Sequence, residues 1–272
     1  MRAIALAFTL ARRELRGGIK GFRIVLACLA LGVAAIAGIG SLSRAIEDGL
    51  RRDARKLLGG DLSFNLVHRP AGPAELAWLE KRGDVATVAE LRAMAYVQGG
   101  AGAPGRDRLL VELKGVDDFY PLYGTIGVDG ARPDFKSLTG LLAQHEGHFG
   151  ALVDPLLLER LGLKSGDRIK IGGLVLAIRG TLDHEPDRAT RLFTLGPRVL
   201  ISSAALRESG LLQPGSLVFY SHRLRLRGGA SAAAVMADAK KQFPEAGWRI
   251  RGTAEAAPGL DTFLARLTLY LT

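Results

Sequence analysis

Two short strings carry the side chains best suited to hold a metal: His145-Glu146-Gly147-His148 and His184-Glu185-Pro186-Asp187. Imidazole and carboxylate are ordinary zinc ligands. A helical metalloprotease site needs two histidines one turn apart with a glutamate beside the first, and neither string has that spacing. Both lie in polar stretches that contain Gly or Pro, so they read as solvated loop residues. Nearby, Arg188, Arg191 and Arg198 cluster with Asp183, Glu185 and Asp187. Charges of both signs in so short a stretch fit a ligand-binding patch, but a charged surface strand is the simpler reading.

Nucleophilic and phosphate chemistry find no better footing. Gly162-Leu163-Lys164-Ser165-Gly166 places its serine one position late for the strand-turn-helix elbow of a serine hydrolase, and reads as a turn. Gly18-Ile19-Lys20 and Lys164-Ser165-Gly166 lack the glycine spacing of a phosphate-cradling loop, so the chain is not expected to hydrolyse ATP by itself. No catalytic residue, cofactor-binding residue or metal ligand is assigned, no cofactor is expected, and the chain reads as a non-enzyme. Its one cysteine, Cys28, excludes a disulfide framework.

The elements that organise these residues begin with an apolar run. Residues 24–42 hold no charge, and nine of the nineteen are Ile, Leu or Val. Nineteen helical residues rise ~28 Å, near the ~30 Å hydrocarbon thickness of a bilayer. The run therefore reads as a membrane span. Ala35 and Ala37 keep a cleaved signal peptide open as the rival. Six basic residues precede the run against Glu14 alone, half of the net charge of +10. The bias of basic residues toward the cytoplasmic side then puts the N-terminus in the cytoplasm and the bulk of the chain outside. Because the densest basic cluster adjoins the span and lacks interleaved aromatics, no nucleic-acid partner is expected. Residues 1–18 carry an amphipathic pattern suited to the cytoplasmic membrane interface. Leu42, Ile46, Leu50, Ala54 and Leu57 continue the helical spacing, which predicts a span and stalk over 22–58, stopped by Gly59 and Gly60.

Beyond residue 58 the pattern turns to short mixed elements. Alternation predicts strands over 61–68, 85–97 and 108–116, with a helix over 73–81 and a glycine-rich hairpin tip over 99–105. The texture returns late in the chain, with a strand over 216–226, a helix over 230–243 and a strand over 248–251. The expected class is α+β: a split βαβ-type domain built from 59–116 and 215–254, with a mostly β inserted subdomain over 117–214. Within the insertion, Asp154 and Pro155 start a short helix that Gly162 closes, and Gly172-Gly173 marks a hairpin. Residues 255–272 read as the start of a second stalk or transmembrane helix, which implies a longer polypeptide.

Four strings (10–46, 57–71, 110–124 and 156–173) resemble FtsX-like, MacB-type ABC transporter permeases, in particular their YbbP-type branch. The last is also similar to the MacB-type periplasmic core domain. The resemblance implies an inner-membrane permease subunit with a periplasmic domain and a separate cytoplasmic ABC ATPase partner of the MacB/LolD kind. It implies mechanotransmission through long helices rather than a central channel, and lipid-like, lipoprotein or other hydrophobic cargo. It also implies contact with membrane lipid, a periplasmic esterase or thioesterase partner, and a second permease copy. Two alternatives stay open: a membrane-anchored adaptor that activates a periplasmic hydrolase, and a membrane-anchored periplasmic esterase.

Overall fold

A computed structural model describes residues 24–34, 37–38, 41, 54–97, 108–188 and 196–253, with the side chain of Phe135 left aside. The chain divides into two compact units, Met1–Leu50 and Arg51–Thr272. In the first, residues 24–34 form one helix whose apolar side chains all face outward; Ile24 is 65% exposed and Leu31 75%. Among the described residues no helix is long and apolar enough to cross a membrane. The interfacial helix expected over 1–18, most of the run beyond 34, the hairpin tip and the helix expected after 255 lie outside the described residues.

In the second unit, residues 54–58 are helical and end at Gly59, whose φ of 73° is left-handed. A Cβ at Gly59 would stand 2.6 Å from Arg223 Nη1, so both conformation and space require glycine. Strand β1 (Leu62–Val67) leads through helix α1 (Pro73–Glu80) to β2 (Gly83–Val97) and β3 (Arg108–Val116). Pro73 opens α1, and Glu75 Oε2 accepts from Gly72 N at 2.6 Å, a cap on the first turn. Late in the chain come β10 (Phe219–Leu226), α5 (Ala232–Gln242) and β11 (Arg249–Gly252). Ser231 caps α5 by accepting from Ala234 N.

These two segments interlock. The strand order is β11-β1-β10-β2, each neighbour antiparallel, so each βαβ unit holds a strand of the other between its own two. That is the split βαβ, ferredoxin-like arrangement. Helices α1 and α5 cover one face of it. There Trp78, Leu79, Val235 and Ala239 pack on Leu62, Phe64, Val85 and Leu224. Phe64, Trp78, Phe243 and Trp248 meet edge-to-face or tilted at 5.0–6.3 Å. A fully buried Leu or Phe stabilises by about 1.5–3 kcal/mol, so this layer fixes the two helices to the sheet.

The intervening stretch supplies β4 (Gly127–Val128), α2 (Phe135–Leu142), β5 (Gln144–His145), β6 (His148–Val153), α3 (Pro155–Leu161), β7 (Arg168–Ile171), β8 (Leu174–His184), β9 (Arg198–Ser202) and α4 (Ser203–Glu208). Asp154 Oδ1 accepts from Leu156 N at 3.0 Å and Gly162 closes α3 at φ 66°, as their spacing predicted. The Gly172-Gly173 hairpin joins β7 to β8. Pairing then runs β2–β3–β9–β6–β8–β7 and returns to β2, closing a six-stranded barrel. Its interior holds Leu91, Ala93, Ala95, Val111, Leu113, Ala151, Val153, Ile169, Ile171, Leu176, Ile178, Val199 and Ile201. Alanines along β2 leave room for the branched side chains opposite. Strands β2 and β3 belong both to the barrel and to the sheet that continues through β10 and β1.

Candidate functional site: a buried charge cluster

The second face of the β10–β2–β3–β9 ladder carries the least expected chemistry. Side chains alternate across a pleated sheet, and the ladder places Ala86, Val88 and Glu90 of β2, Glu112, Lys114 and Val116 of β3, Arg198 of β9 and Arg223 of β10 on one side. Tyr120 and the segment 185–188 after β8 close over this face. Lys114 is fully buried, and Glu185, Asp187, Arg198 and Arg223 are each less than a tenth exposed.

Lys114 Nζ donates to Asp187 Oδ2 at 2.8 Å, to Asp187 Oδ1 at 3.0 Å, to Tyr120 Oη at 2.8 Å, and to Glu185 Oε1. The Tyr120 hydroxyl donates to Asp187 Oδ1 at 2.6 Å. Arg223 forms a close ion pair with Asp187 Oδ2. Arg198 reaches Glu90 at 3.2 Å, Glu112 at 3.7 Å and Glu185 Oε2 at 3.2 Å. The last contact is an ion pair without an aligned hydrogen bond, since Glu185 Oε2 and Arg198 Nε find no hydrogen-bond partner among the described residues. Three cations therefore face four carboxylates, which spares each charge the full penalty of isolation from water.

The electrostatics follow from this packing. Burial alone would raise the Asp187 carboxyl, but Arg223 and Lys114 hold it well below the usual carboxylate range. Burial, with Asp187 and Glu185 beside it, pushes the Tyr120 phenol well up, so it stays a neutral donor. Burial works against the Arg198 and Arg223 cations, yet the facing carboxylates raise both above their ordinary value. Asp187 is thereby held ionised, Tyr120 neutral, and Arg198 and Arg223 charged. Opposite charges meet across β3, β9, β10 and the 185–188 segment, so the contacts tie these parts of the fold together.

A cavity of about 120 Å3 opens beside it, lined by Ser63, Asn65, Ser221, Arg188 and Arg251 as well as Glu90 and Arg223. On the opposite sheet face, His222 is fully buried. Its Nε2 accepts from Ala71 N at 3.1 Å, which leaves Nδ1 to donate to Thr87 Oγ1 at 3.1 Å. Burial lowers its pKa to about 4, so the ring is neutral near pH 7. Thr87 N donates to Asp117 Oδ2 at 2.5 Å, and burial raises the Asp117 carboxyl to about 6.

The residues first singled out land in different places. Glu185 and Asp187 are core charges rather than solvated loop residues, because Lys114 and Arg223 stand directly beneath them. Arg198 begins a buried strand rather than an exposed one; Arg191 lies outside the described residues. His145 and His148 are not in a loop: β5 and β6 pair as a hairpin whose turn residues Glu146 and Gly147 have φ of 50° and 79°. His184 ends β8, separate from them in the fold. Among the described residues no group of three or more His, Cys, Asp or Glu is placed to hold a metal. Lys114, Tyr120, Glu90, Glu112 and Arg223 escaped sequence reading. The only signal was a lysine and a glutamate at alternate positions of an otherwise apolar strand.

A split βαβ half and a closed β half that share β2 and β3 define a mixed α/β core domain. The chain belongs to the MacB-like periplasmic core domain family, whose model matches residues 24–242. It is 31% identical over 204 residues to an uncharacterised ABC transporter permease, YbbP, of Escherichia coli strain K12, covering 74% of this chain. The chain spans 23% of that relative's length. Among solved structures it is similar to the periplasmic region of MacB from Actinobacillus actinomycetemcomitans, at 8% identity and a TM-score of 0.45 over 79% of this chain and 95% of that one. A domain of a putative permease from Porphyromonas gingivalis matches at 12% identity and a TM-score of 0.44, over 71% of this chain and 89% of that one.

Proposed function

We propose that this chain is the first membrane segment and periplasmic domain of an ABC-type permease subunit. In this reading residues 24–42 cross the inner membrane with the N-terminus cytoplasmic, and the domain from residue 59 onward lies in the periplasm. The observation that carries it is the family match over 24–242, which joins the apolar run and the core domain in one unit. The fully exposed apolar helix over 24–34 supports it, since water is a poor solvent for such a surface and lipid a good one.

The protein works by mechanotransmission. A separate cytoplasmic ATPase drives the membrane helices, and the periplasmic domain moves as one body. The charge cluster is the part suited to that task. Seven ionic side chains from β2, β3, β9, β10 and the 185–188 segment satisfy one another in a single register, and a half-made version is costly. Such a network resists shear between the sheet and the barrel. The division into 59–116, 117–214 and 215–254 gives the load path: the chain ends enter the split βαβ half, and the insertion follows it. Lipid-like or lipoprotein cargo, a hydrolase partner and a second permease copy belong to the same reading.

Isolation of the complete gene product from native membranes in mild detergent tests this. The expected result is a stoichiometric P-loop ATPase whose hydrolysis rate changes several-fold when the permease is present. A permease that carries no ATPase, or an ATPase indifferent to it, overturns the reading.

A further inference from the structure

The outer face of the barrel carries a row of exposed cations around an exposed tyrosine. Strands β3, β2 and β7 lie side by side, and their register places Arg108 opposite Tyr96 and Tyr96 opposite Lys170. Neighbouring strands are ~4.8 Å apart, so the three side chains form one row, cation–aromatic–cation. Arg168 follows Lys170 on the same face of β7, Arg92 follows Met94 and Tyr96 on β2, and Leu110 stands opposite Met94. Tyr96 and Leu110 are each 41% exposed, and all four cations are exposed. None of the four makes an ion pair or side-chain hydrogen bond among the described residues. The neighbouring carboxylates Glu90 and Glu112 are already drawn to Arg198. Beside Arg92 a groove of about 290 Å3 opens, with Leu91, Leu211, Leu217 and Phe219 on its apolar side and Arg198, paired to Glu90 and Glu112, on its polar side.

We infer that this face is a docking surface for an acidic segment of a partner protein that carries apolar or aromatic side chains. Charge complementarity sets the sign: four exposed cations favour a run of Asp and Glu. Tyr96, Leu110 and the groove give the desolvated centre that tight protein contacts use, with the cations as its rim. A protein rather than an anionic lipid surface follows from shape: the recessed groove beside Arg92 admits side chains, which a planar headgroup layer does not supply.

Fluorescence anisotropy with labelled poly-L-glutamate and a glutamate–tyrosine copolymer tests it, using the full chain in detergent. The expected result is binding that weakens between about 50 and 200 mM salt. It drops about tenfold or more in the Arg92→Glu/Arg108→Glu/Lys170→Glu variant, and is kept in Lys136→Glu/Lys240→Glu/Lys241→Glu, which carries the same charge change elsewhere. The copolymer binds more tightly than poly-L-glutamate, and Tyr96→Ala removes that advantage. Equal loss in both triple variants overturns the proposal, as non-specific attraction to a basic protein. Preference for phosphatidylglycerol vesicles, lost in the first triple variant alone, also overturns it in favour of a lipid surface. The assay needs neither nucleotide nor ATPase, so its failure is distinct from failure of the transport reading.

Discussion

Lys114 and Asp187 are 73 positions apart in the chain and 2.8 Å apart in the fold. Lys114 belongs to β3, which lies between β2 and β9, and Asp187 to the segment that follows β8. Their contact, with Arg223 and Arg198 on either side, ties together parts of the sheet that sequence separates by a hundred residues or more.

Removing the cation at the centre is expected to be severe. In Lys114→Met, Glu185 and Asp187 stay buried and lose a shared partner, and loss of one member of a buried pair costs about 3–5 kcal/mol. A large fall in the urea midpoint checks this. Lys114→Met/Glu185→Gln, which removes one charge of each sign, should recover part of the loss. Equal midpoints for the single and double variants would show that Glu185 is not coupled to Lys114.

His222 makes the domain sensitive to mild acid. Its folded pKa, about 4, lies below the ordinary 6.5, so the unfolded chain binds the proton more readily. The stability it contributes is complete above pH 6.5 and falls as pH drops toward 4, by roughly 3 kcal/mol at most. The difference in denaturation midpoint between the parent and His222→Gln, measured from pH 7.5 to about 4, should shift in favour of the variant as pH falls.

Asp117 acts in the opposite direction. Its folded pKa, about 6, lies above the ordinary 3.8, so the folded state holds the proton more tightly. Its contribution is complete below pH 3.8 and is lost as pH rises through 6. Thr87 touches both groups, donating its N–H to Asp117 and meeting His222 through its hydroxyl. Between about pH 4 and 6 the two contributions nearly cancel in the parent, so in Asp117→Asn the midpoint should fall on acidification with the slope set by His222.

Gly83 tests the close approach of β2 and β10. A Cβ there would lie 2.0 Å from the Arg225 carbonyl oxygen, which is backbone and cannot turn aside. Gly83→Ala is expected to destabilise by about 3 kcal/mol. A thermal melt unchanged from the parent would contradict the described register.

The elements were legible because their signals are local. Leu62, Phe64 and Leu66 alternate toward a core, Ser231 and Asp154 cap helices, and Gly162 and Gly172 sit where the backbone turns left-handed. Barrel closure was not legible, since β7 meets β2 through only Ile169, Lys170 and Ile171, far away in sequence. The cluster was hidden for a related reason. Glu90, Glu112 and Lys114 alternate with apolar residues as a solvent-facing edge would, and only the return of 185–188 and Tyr120 over that edge takes them out of water. A charge's burial depends on what covers it, and the cover comes from elsewhere in the chain.

The rigid-body claim is tested most directly by a pulsed electron-spin distance across the cluster. Spin labels at exposed Lys241 on α5 and Glu159 on α3 report on the split βαβ half and the barrel half respectively. The measurement uses the complete permease with its ATPase, after native cysteines such as Cys28 are replaced by serine. One narrow distance that stays the same with and without trapped nucleotide is the expected result, and Lys114→Met should broaden it. A distance that shifts with nucleotide in the parent protein would show that the two halves move against each other, and would contradict the account.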